Sequence, residues 1–233
     1  MALVTPETKL CDVILDEPSA ITVINRFGIS LGVGDKNVRT ICAQKGIDIN
    51  FFLTILNAYI YESFFPENGF DSFGAQEIIE YLEKTNQSYL KYQLPNIERH
   101  FKALIGHSDK NNNLPLLLNL YKEVKEEIIK RIDNDNKHWF AEILRHEKDV
   151  APGQLTIEAS DTQRTADSIE DKLSDLKNMF VIHLRGDYDR NLCQAVLFAI
   201  INFEKDIRQN NRIRNHILYP LAVALKKASS TNN

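Results

Sequence analysis

The stretch LPLLLNLYKEVKEEIIKRIDN, residues 114–134, decides the fold class. Its apolar residues recur every three or four positions, as on one face of an α-helix. Five of them form the stripe: Leu117, Tyr121, Val124, Ile128 and Ile132. Most of the positions between them carry Lys or Glu, as expected of a solvated face. The pattern predicts a long amphipathic helix, from about Leu114 to His146, that must bury one face against other elements.

Three further segments show the same helical period. They run over about 76–106, 166–184 and 191–227. The first carries a predicted stripe of Leu90, Leu94, Ile97, Phe101 and Leu104. Polar stretches separate the four segments, such as SDKNNN at 108–113. Amphipathic helices with polar connections pack economically as an antiparallel four-helix bundle, which we expect over residues 76–228.

Residues 1–64 predict several short helices. Pro18 and Ser19 open one that ends at Gly28, and a glycine-containing loop follows over 26–37. Further helices are predicted over 38–44, ending at Gly46, and over 49–64. The stretch PENGFDSFG at 66–74 has the composition of a linker. We therefore expect an all-α protein with a small helical domain at 1–66, a linker at 67–75 and the bundle.

Composition narrows the functional classes. The chain has 233 residues with 9 Gly, 7 Pro and a net charge of −4. A balance this close to neutral does not predict nucleic-acid binding. No signal peptide or apolar run long enough to cross a membrane is evident, so we expect a cytoplasmic protein with no membrane partner. The three cysteines form no CxxC pair, and we expect Cys42 and Cys193 to be buried as small hydrophobes.

Three stretches resemble a known family. DVILDEPSAITVINRFGISLGVGDKNVRTICAQKGID, at 12–48, resembles the small N-terminal domain of the iron-centre repair (RIC) proteins. YLEKTNQSYLKYQLPNIERH, at 81–100, and FEKDIRQNNRIRNHILYPLA, at 203–222, are similar to the two ends of their hemerythrin-like domain. Family members are di-iron proteins linked to mending iron–sulfur clusters after nitrosative and oxidative stress. The resemblance implies a hemerythrin-like bundle behind an RIC-type domain.

The chain departs from the family pattern where chemistry is concerned. Gly32 and Val33 stand where the family carries an adjacent cysteine pair, so the thiol chemistry of that pair is missing. The resemblance assigns six positions to iron ligands: Asn86, Arg131, Asp135, Ala166, Asn210 and Arg214. Asp135 alone among these carries a carboxylate, and a guanidinium has no lone pair to give a metal. We expect neither a metal nor another cofactor.

A polar plug is our hypothesis for what replaces the metal. Arg131 and Arg214 would be bridged by Asp135 and hydrogen-bonded by Asn86 and Asn210, because buried charges must be paired. The alternative is that these side chains extend to the surface through a slight rotation of the helices.

Three functions remain open. The first is a metal-free, non-catalytic relative of the repair proteins, acting as a stress-related binding or regulatory module with a protein partner or as a homodimer. The second is an active di-iron repair protein with substitute ligands, namely His100, His138, Glu142, His146 and His183. The third is a stress regulator that binds a partner through the N-terminal domain or through the arginines of the fourth helix, Arg208, Arg212 and Arg214.

Overall fold

The protein is all-helical in the part that the structure describes. The computed structural model describes residues 3–64, 73–110, 112–148 and 167–231, with residues 230 and 231 described by their backbone only. These ranges contain no β-strand, only an isolated bridge between Lys9 and Asn37. The predicted all-α class is therefore confirmed. Within the same ranges, no helix is both long enough and apolar enough to cross a bilayer.

Most helices fall close to the segments that the sequence predicts as helical, although the long ones are interrupted. In chain order they are α1 (Leu10–Asp16), α2 (Ala20–Arg26), α3 (Val38–Lys45), α4 (Ile49–Ile60), α5 (Ala75–Ser88), α6 (Leu94–Gly106), α7 (Leu114–Asn134), α8 (Phe140–Lys148), α9 (Ser168–His183), α10 (Arg190–Ile213) and α11 (Tyr219–Thr231). All five stripe residues predicted on α7 are buried.

Local capping explains the ends of the short helices. The side chains of Asn37 and Asp48 accept hydrogen bonds from the first turns of α3 and α4, as N-caps do. Gly46 ends α3 in the left-handed conformation, with φ 65°, which glycine adopts without a Cβ penalty. Helix α4 ends at Ile60, four residues before the predicted end, because Tyr61 takes an extended conformation.

Within the described ranges, three π-helical turns interrupt the long helices. They are π1 (Tyr89–Gln93), π2 (Asp135–Trp139) and π3 (Arg214–Leu218). Pro95 and Pro220 each lie two residues after a π turn, and the residue before each proline donates the last hydrogen bond of that turn. Proline has no N–H and its ring crowds the preceding turn, so a locally widened helix accommodates it. The π1 turn places Tyr89 inside and leaves Leu90, predicted as a core residue, 37% exposed.

The chain divides into two compact units, neither continuous in sequence. The first comprises Met1–Lys84, His138–Arg164 and Gln209–Asn233, and the second Thr85–Lys137 and Thr165–Arg208. The predicted domain at 1–66 falls within the first unit. Of the predicted linker, residues 67–72 lie outside the described ranges. The boundaries of the predicted domains stay a prediction.

The first unit has its own core. Helices α1–α4 share one buried cluster with the start of α5, with α8 and with π3 and α11. Phe27, just after α2, is partly buried and packs against this cluster: its ring lies 4.9 Å from that of Phe52 and 5.5 Å from that of Tyr81 on α5. Aromatic contacts of this kind stabilise a core beyond the area that they bury.

The second unit has a separate core, to which four helices contribute side chains. Representative members are Ile97, Phe101 and Leu104 of α6, Tyr121, Val124 and Ile128 of α7, Leu173, Leu176 and Phe180 of α9, and Val196, Ile200 and Phe203 of α10. Tyr121 also donates a 2.6 Å hydrogen bond to the carbonyl of Leu94, so the buried phenol is satisfied.

Candidate functional site

Arg131 on α7 belongs to the second unit and forms an ion pair. Its guanidinium lies 2.7 Å from the carboxylate of Asp167, and both side chains are about four-fifths buried. Asp167 is also the N-cap of α9, since its other carboxylate oxygen accepts from the backbone N–H of Ile169. The pair therefore attaches the start of α9 to α7, at a position that the resemblance assigns to an iron ligand.

Asn86 and Asp135 lie in the same unit. The Asn86 side chain donates to that of Asn136 at 3.4 Å, which joins α5 to the π2 turn. Asp135 opens π2 and is buried, with 4% of its surface exposed. Asn86 and Arg131, two of the three assigned ligand positions in this unit, thus bind residues of neighbouring helical segments.

Asn210 on α10 belongs to the first unit. Its side-chain oxygen accepts a 3.3 Å hydrogen bond from Arg26 of α2, and Arg26 also donates to the hydroxyl of Tyr81 at 3.2 Å. Both Arg26 and Asn210 are buried. The sequence pattern singled out Asn210 but not Arg26, which ends a short helix where a surface cation would be the ordinary expectation.

Arg214 lies at the start of π3, also in the first unit. Its guanidinium stacks over the indole of Trp139 in π2, with 4.2 Å between the guanidinium carbon and the ring centroid. Arginine favours such stacking because its planar cation is weakly hydrated. Trp139 was not among the predicted site residues, although it is the one tryptophan of the chain.

The five polar side chains of the predicted plug are divided between the two units, and the contacts described above are made with other residues. Asn86, Arg131 and Asp135 belong to the second unit, and Asn210 and Arg214 to the first. The sixth predicted position, Ala166, lies outside the described residues. A plug that brings all five polar side chains together stays a prediction, whereas the pairs Arg131–Asp167 and Arg214–Trp139 are observed.

The substitute ligands are spread over the fold. His100 and His183 belong to the second unit, and His138, Glu142 and His146 to the first. The Nδ1 atom of His146 lies 2.8 Å from the hydroxyl of Ser229, and Glu142 pairs with Lys226 at 3.4 Å. Among the described residues, no three His, Cys, Asp or Glu side chains are grouped so that they could hold a metal ion.

Ion pairs fix the helices of the second unit to one another. Lys125 of α7 contacts Glu98 of α6 at 2.6 Å, and Lys177 of α9 contacts Glu204 of α10 at 2.7 Å. Lys102, one turn after Glu98, also contacts it, and the hydrogen bonds from the two lysines lower the pKa of Glu98 to about 2. These pairs define which helices are neighbours, a relation that helical periodicity cannot supply.

Two cysteines are buried as predicted. Burial raises the pKa of the Cys42 thiol to about 11, with the nearby charge of Asp48 adding to the effect, and burial also raises the pKa of Cys193. A thiol that stays protonated is a poor nucleophile and a poor metal ligand. Neither cysteine therefore has the environment of a reactive centre.

Comparison of the chain with protein-family models and with curated proteins returned no match. The resemblance to the iron-centre repair family accordingly stays a prediction.

Proposed function

We propose that this chain is a metal-free, non-catalytic module related to the iron-centre repair proteins. In this proposal a hemerythrin-like four-helix arrangement serves as a scaffold for binding a partner under stress. Support for the architecture comes from the shared core of α6, α7, α9 and α10 in the second unit. A fold alone does not define a function, so the residues at the assigned ligand positions carry the argument.

The ion pair between Arg131 and Asp167 is the observation that carries the proposal. An iron ligand must offer a lone pair, and Arg131 instead offers a permanent positive charge that repels a cation. The nearest carboxylate oxygen of Asp167 accepts from that guanidinium at 2.7 Å. This residue set does not fit a di-iron centre.

Arg214 supports the same conclusion by a different contact. Its guanidinium makes a cation–π contact with the Trp139 ring, so the side chain has a structural partner of its own. Asn210 likewise accepts from Arg26. Replacing ligands with residues that bind other parts of the protein preserves the packing of the helices without the metal.

Iron loading tests the proposal directly. The purified chain would be incubated with ferrous iron without oxygen, desalted and analysed for metal, and its spectrum recorded in air. We expect less than about a tenth of an iron per chain, because the guanidiniums repel a cation. About two irons per chain, the content of carboxylate-bridged bundles, together with an oxo-bridge absorption would refute the proposal.

A restored variant provides the positive control. It carries Asn86→His, Arg131→His, Asp135→Glu, Asn210→His and Arg214→Glu, which returns imidazoles and carboxylates to the assigned positions. If the kinship and the alignment are right, this variant binds iron where the parent does not. Circular dichroism would verify that both proteins are equally helical.

A further inference from the structure

Three large apolar side chains of the second unit, two on α9 and one on α10, are exposed. Val181 and Ile182 near the end of α9 are 66% and 67% exposed, and Phe198 on α10 is 54% exposed. Side chains of this size usually bury most of their surface, and clustered exposed apolar residues mark interaction sites. None of the three occupies one of the six positions that the resemblance assigns to iron ligands.

The ion pairs between α9 and α10 fix the register of this face. Lys177 contacts Glu204 at 2.7 Å, and Glu170 contacts Arg208 at 3.5 Å. As residue numbers rise on α9 they fall on α10, so the two helices run antiparallel. Continuing this register at 1.5 Å per residue places Ile182 level with Phe198.

The same register places a pair of opposite charges two turns away. Asp175 lies seven residues before Ile182, and Lys205 seven residues after Phe198, so both pairs share a helix face. Both charged side chains are exposed. Asn178 of α9 and Asn202 of α10 lie level with each other, between the apolar pair and the charged pair, and both are exposed.

The face thus has three layers along the helices, and each layer consists of one residue on α9 and one on α10 that can pair with each other's type. The apolar layer has Ile182 on α9 and Phe198 on α10. The amide layer has an asparagine on each helix, and the charged layer has an acid on α9 and a base on α10. A face with this arrangement is complementary to itself when α9 meets α10 of another copy at the same level.

We propose that this face binds a second copy of the chain, related by a twofold axis that runs parallel to α9 and α10. Ile182 then packs on Phe198 of the partner subunit, and Asp175 pairs with Lys205 of the partner subunit. Asn178 meets Asn202 of the partner subunit, an amide pair that fixes the register, as buried asparagines do in coiled coils.

Charge complementarity is the reason to choose a second copy as the occupant. An unrelated partner would have to match an acid and a base at one level and an apolar layer two turns away. A second copy presents that match through symmetry alone, and every contact is made twice. The proposal is independent of the iron question, since none of its residues occupies an assigned ligand position.

Sedimentation equilibrium of the full chain over about 1–200 µM tests the association, a range that covers micromolar affinity. We expect a concentration-dependent dimer that Phe198→Asp abolishes. Asp175→Lys and Lys205→Glu should each weaken it about tenfold, because two like-charge contacts arise per dimer. The double reversal restores both pairs and should recover the parent affinity. Lys130→Glu, exposed on α7, is the matched control and should leave the dimer unchanged.

A monomer throughout that range overturns the proposal. A dimer that survives Phe198→Asp, or single reversals that the double reversal does not rescue, would place the interface elsewhere and overturns it equally. Circular dichroism of each variant keeps a folding defect from being mistaken for a loss of association.

Oxidative cross-linking tests the axis. In a Cys11→Ser background, Asn178→Cys chains would be mixed with Asn202→Cys chains and oxidised. The proposed axis brings these two positions together, so the mixed disulfide should dominate. Cross-linking of Asn178→Cys chains only to one another would set α9 against α9 and overturn the proposed arrangement.

Discussion

The guanidinium carbon of Arg214 lies 4.2 Å from the centroid of the Trp139 ring. Each residue belongs to a π turn, Trp139 to π2 and Arg214 to π3, so the stack joins two interrupted helices inside the first unit. Two residues before Arg214, Arg212 donates to the carbonyls of Ala58 and Tyr59 at the end of α4. Cations at a helix C-terminus are favoured by its dipole. Arginines of this segment thus hold the first unit together.

A double-mutant cycle measures the strength of the stack. Arg214→Ala, Trp139→Leu and the double variant would be unfolded with urea and followed by circular dichroism. We expect a coupling free energy of about 0.5–2 kcal/mol, the range for a cation over an aromatic ring. Arg185→Ala, an exposed arginine, should leave the free energy of unfolding unchanged.

Two results would contradict this view. A coupling below about 0.3 kcal/mol, within the error of additivity, would show that the stack stabilises nothing. If Arg214→Ala alone costs about 3–5 kcal/mol with little coupling to Trp139, the charge is buried with a carboxylate, as the plug hypothesis holds.

Helix positions could be predicted from the sequence because each signal is local. Gly46 ends α3 where the predicted stop stands, and the stripe of α7 is buried along its length. The π turns were not predicted. Pro95 and Pro220 were a usable signal for two of them, since each proline leaves a carbonyl one turn earlier without its usual donor. Leu90 was assigned to the core because the predicted helix lacked that extra residue per turn.

The candidate site was harder to predict because its contacts are distant in sequence. The ion pair between Arg131 and Asp167 joins residues 36 apart, and Asp167 lies at the edge of a predicted helix. Arg26 reaches Asn210 over 184 positions. A single sequence gives the chemical type of such residues, but their partners depend on tertiary packing.

Glu98 should make stability depend on pH. Hydrogen bonds from Lys102 and Lys125 lower its pKa from 4.5 to about 2. A carboxyl whose pKa is lower in the folded state stabilises the protein above its unfolded pKa, and this stability is lost as the pH falls through the folded value. The contribution is thus complete above about pH 4.5 and lost by about pH 2.

Glu98→Gln isolates that contribution. We expect the variant to be about 1 kcal/mol less stable than the parent at pH 7, after allowance for solvent screening, and equally stable near pH 2. Urea unfolding at several pH values measures the difference. Glu123→Gln, at an exposed position on α7, should show no such convergence. A stability difference between Glu98→Gln and the parent that stays constant with pH would rule out the ionic origin.

The cysteines should differ in reactivity. Cys42 and Cys193 are buried, and burial raises the pKa of both thiols, to about 11 for Cys42, whereas Cys11 is partly exposed. At pH 8 a water-soluble maleimide should label one site in the native chain and three in urea, because the thiolate is the reacting species. Intact-mass spectrometry counts the labels, and Cys11→Ser should remove the native one. Rapid native labelling of Cys42 would mean that the first unit opens readily.

Gly74 and Gly106 should respond oppositely to alanine. The carboxylate of Glu147 caps α5 by accepting from the N–H of Ala75 at 2.6 Å, and a Cβ on Gly74 would collide with that carboxylate. A Cβ on Gly106, the last residue of α6, meets nothing within 4 Å. Gly74→Ala should lower the free energy of unfolding by about 0.5–1 kcal/mol through loss of the cap. Gly106→Ala should raise it by up to about 1 kcal/mol, because alanine restricts the unfolded chain.

The cap itself can be separated from the backbone effect by repeating Gly74→Ala in a Glu147→Ala background. There the Cβ has no carboxylate to displace, so the substitution should no longer destabilise the protein and should behave like Gly106→Ala. Urea unfolding of the four proteins at pH 7 gives the comparison. If Gly74→Ala is equally harmful with and without Glu147, the cost comes from the backbone before α5, and the carboxylate of Glu147 is not what requires glycine at this position.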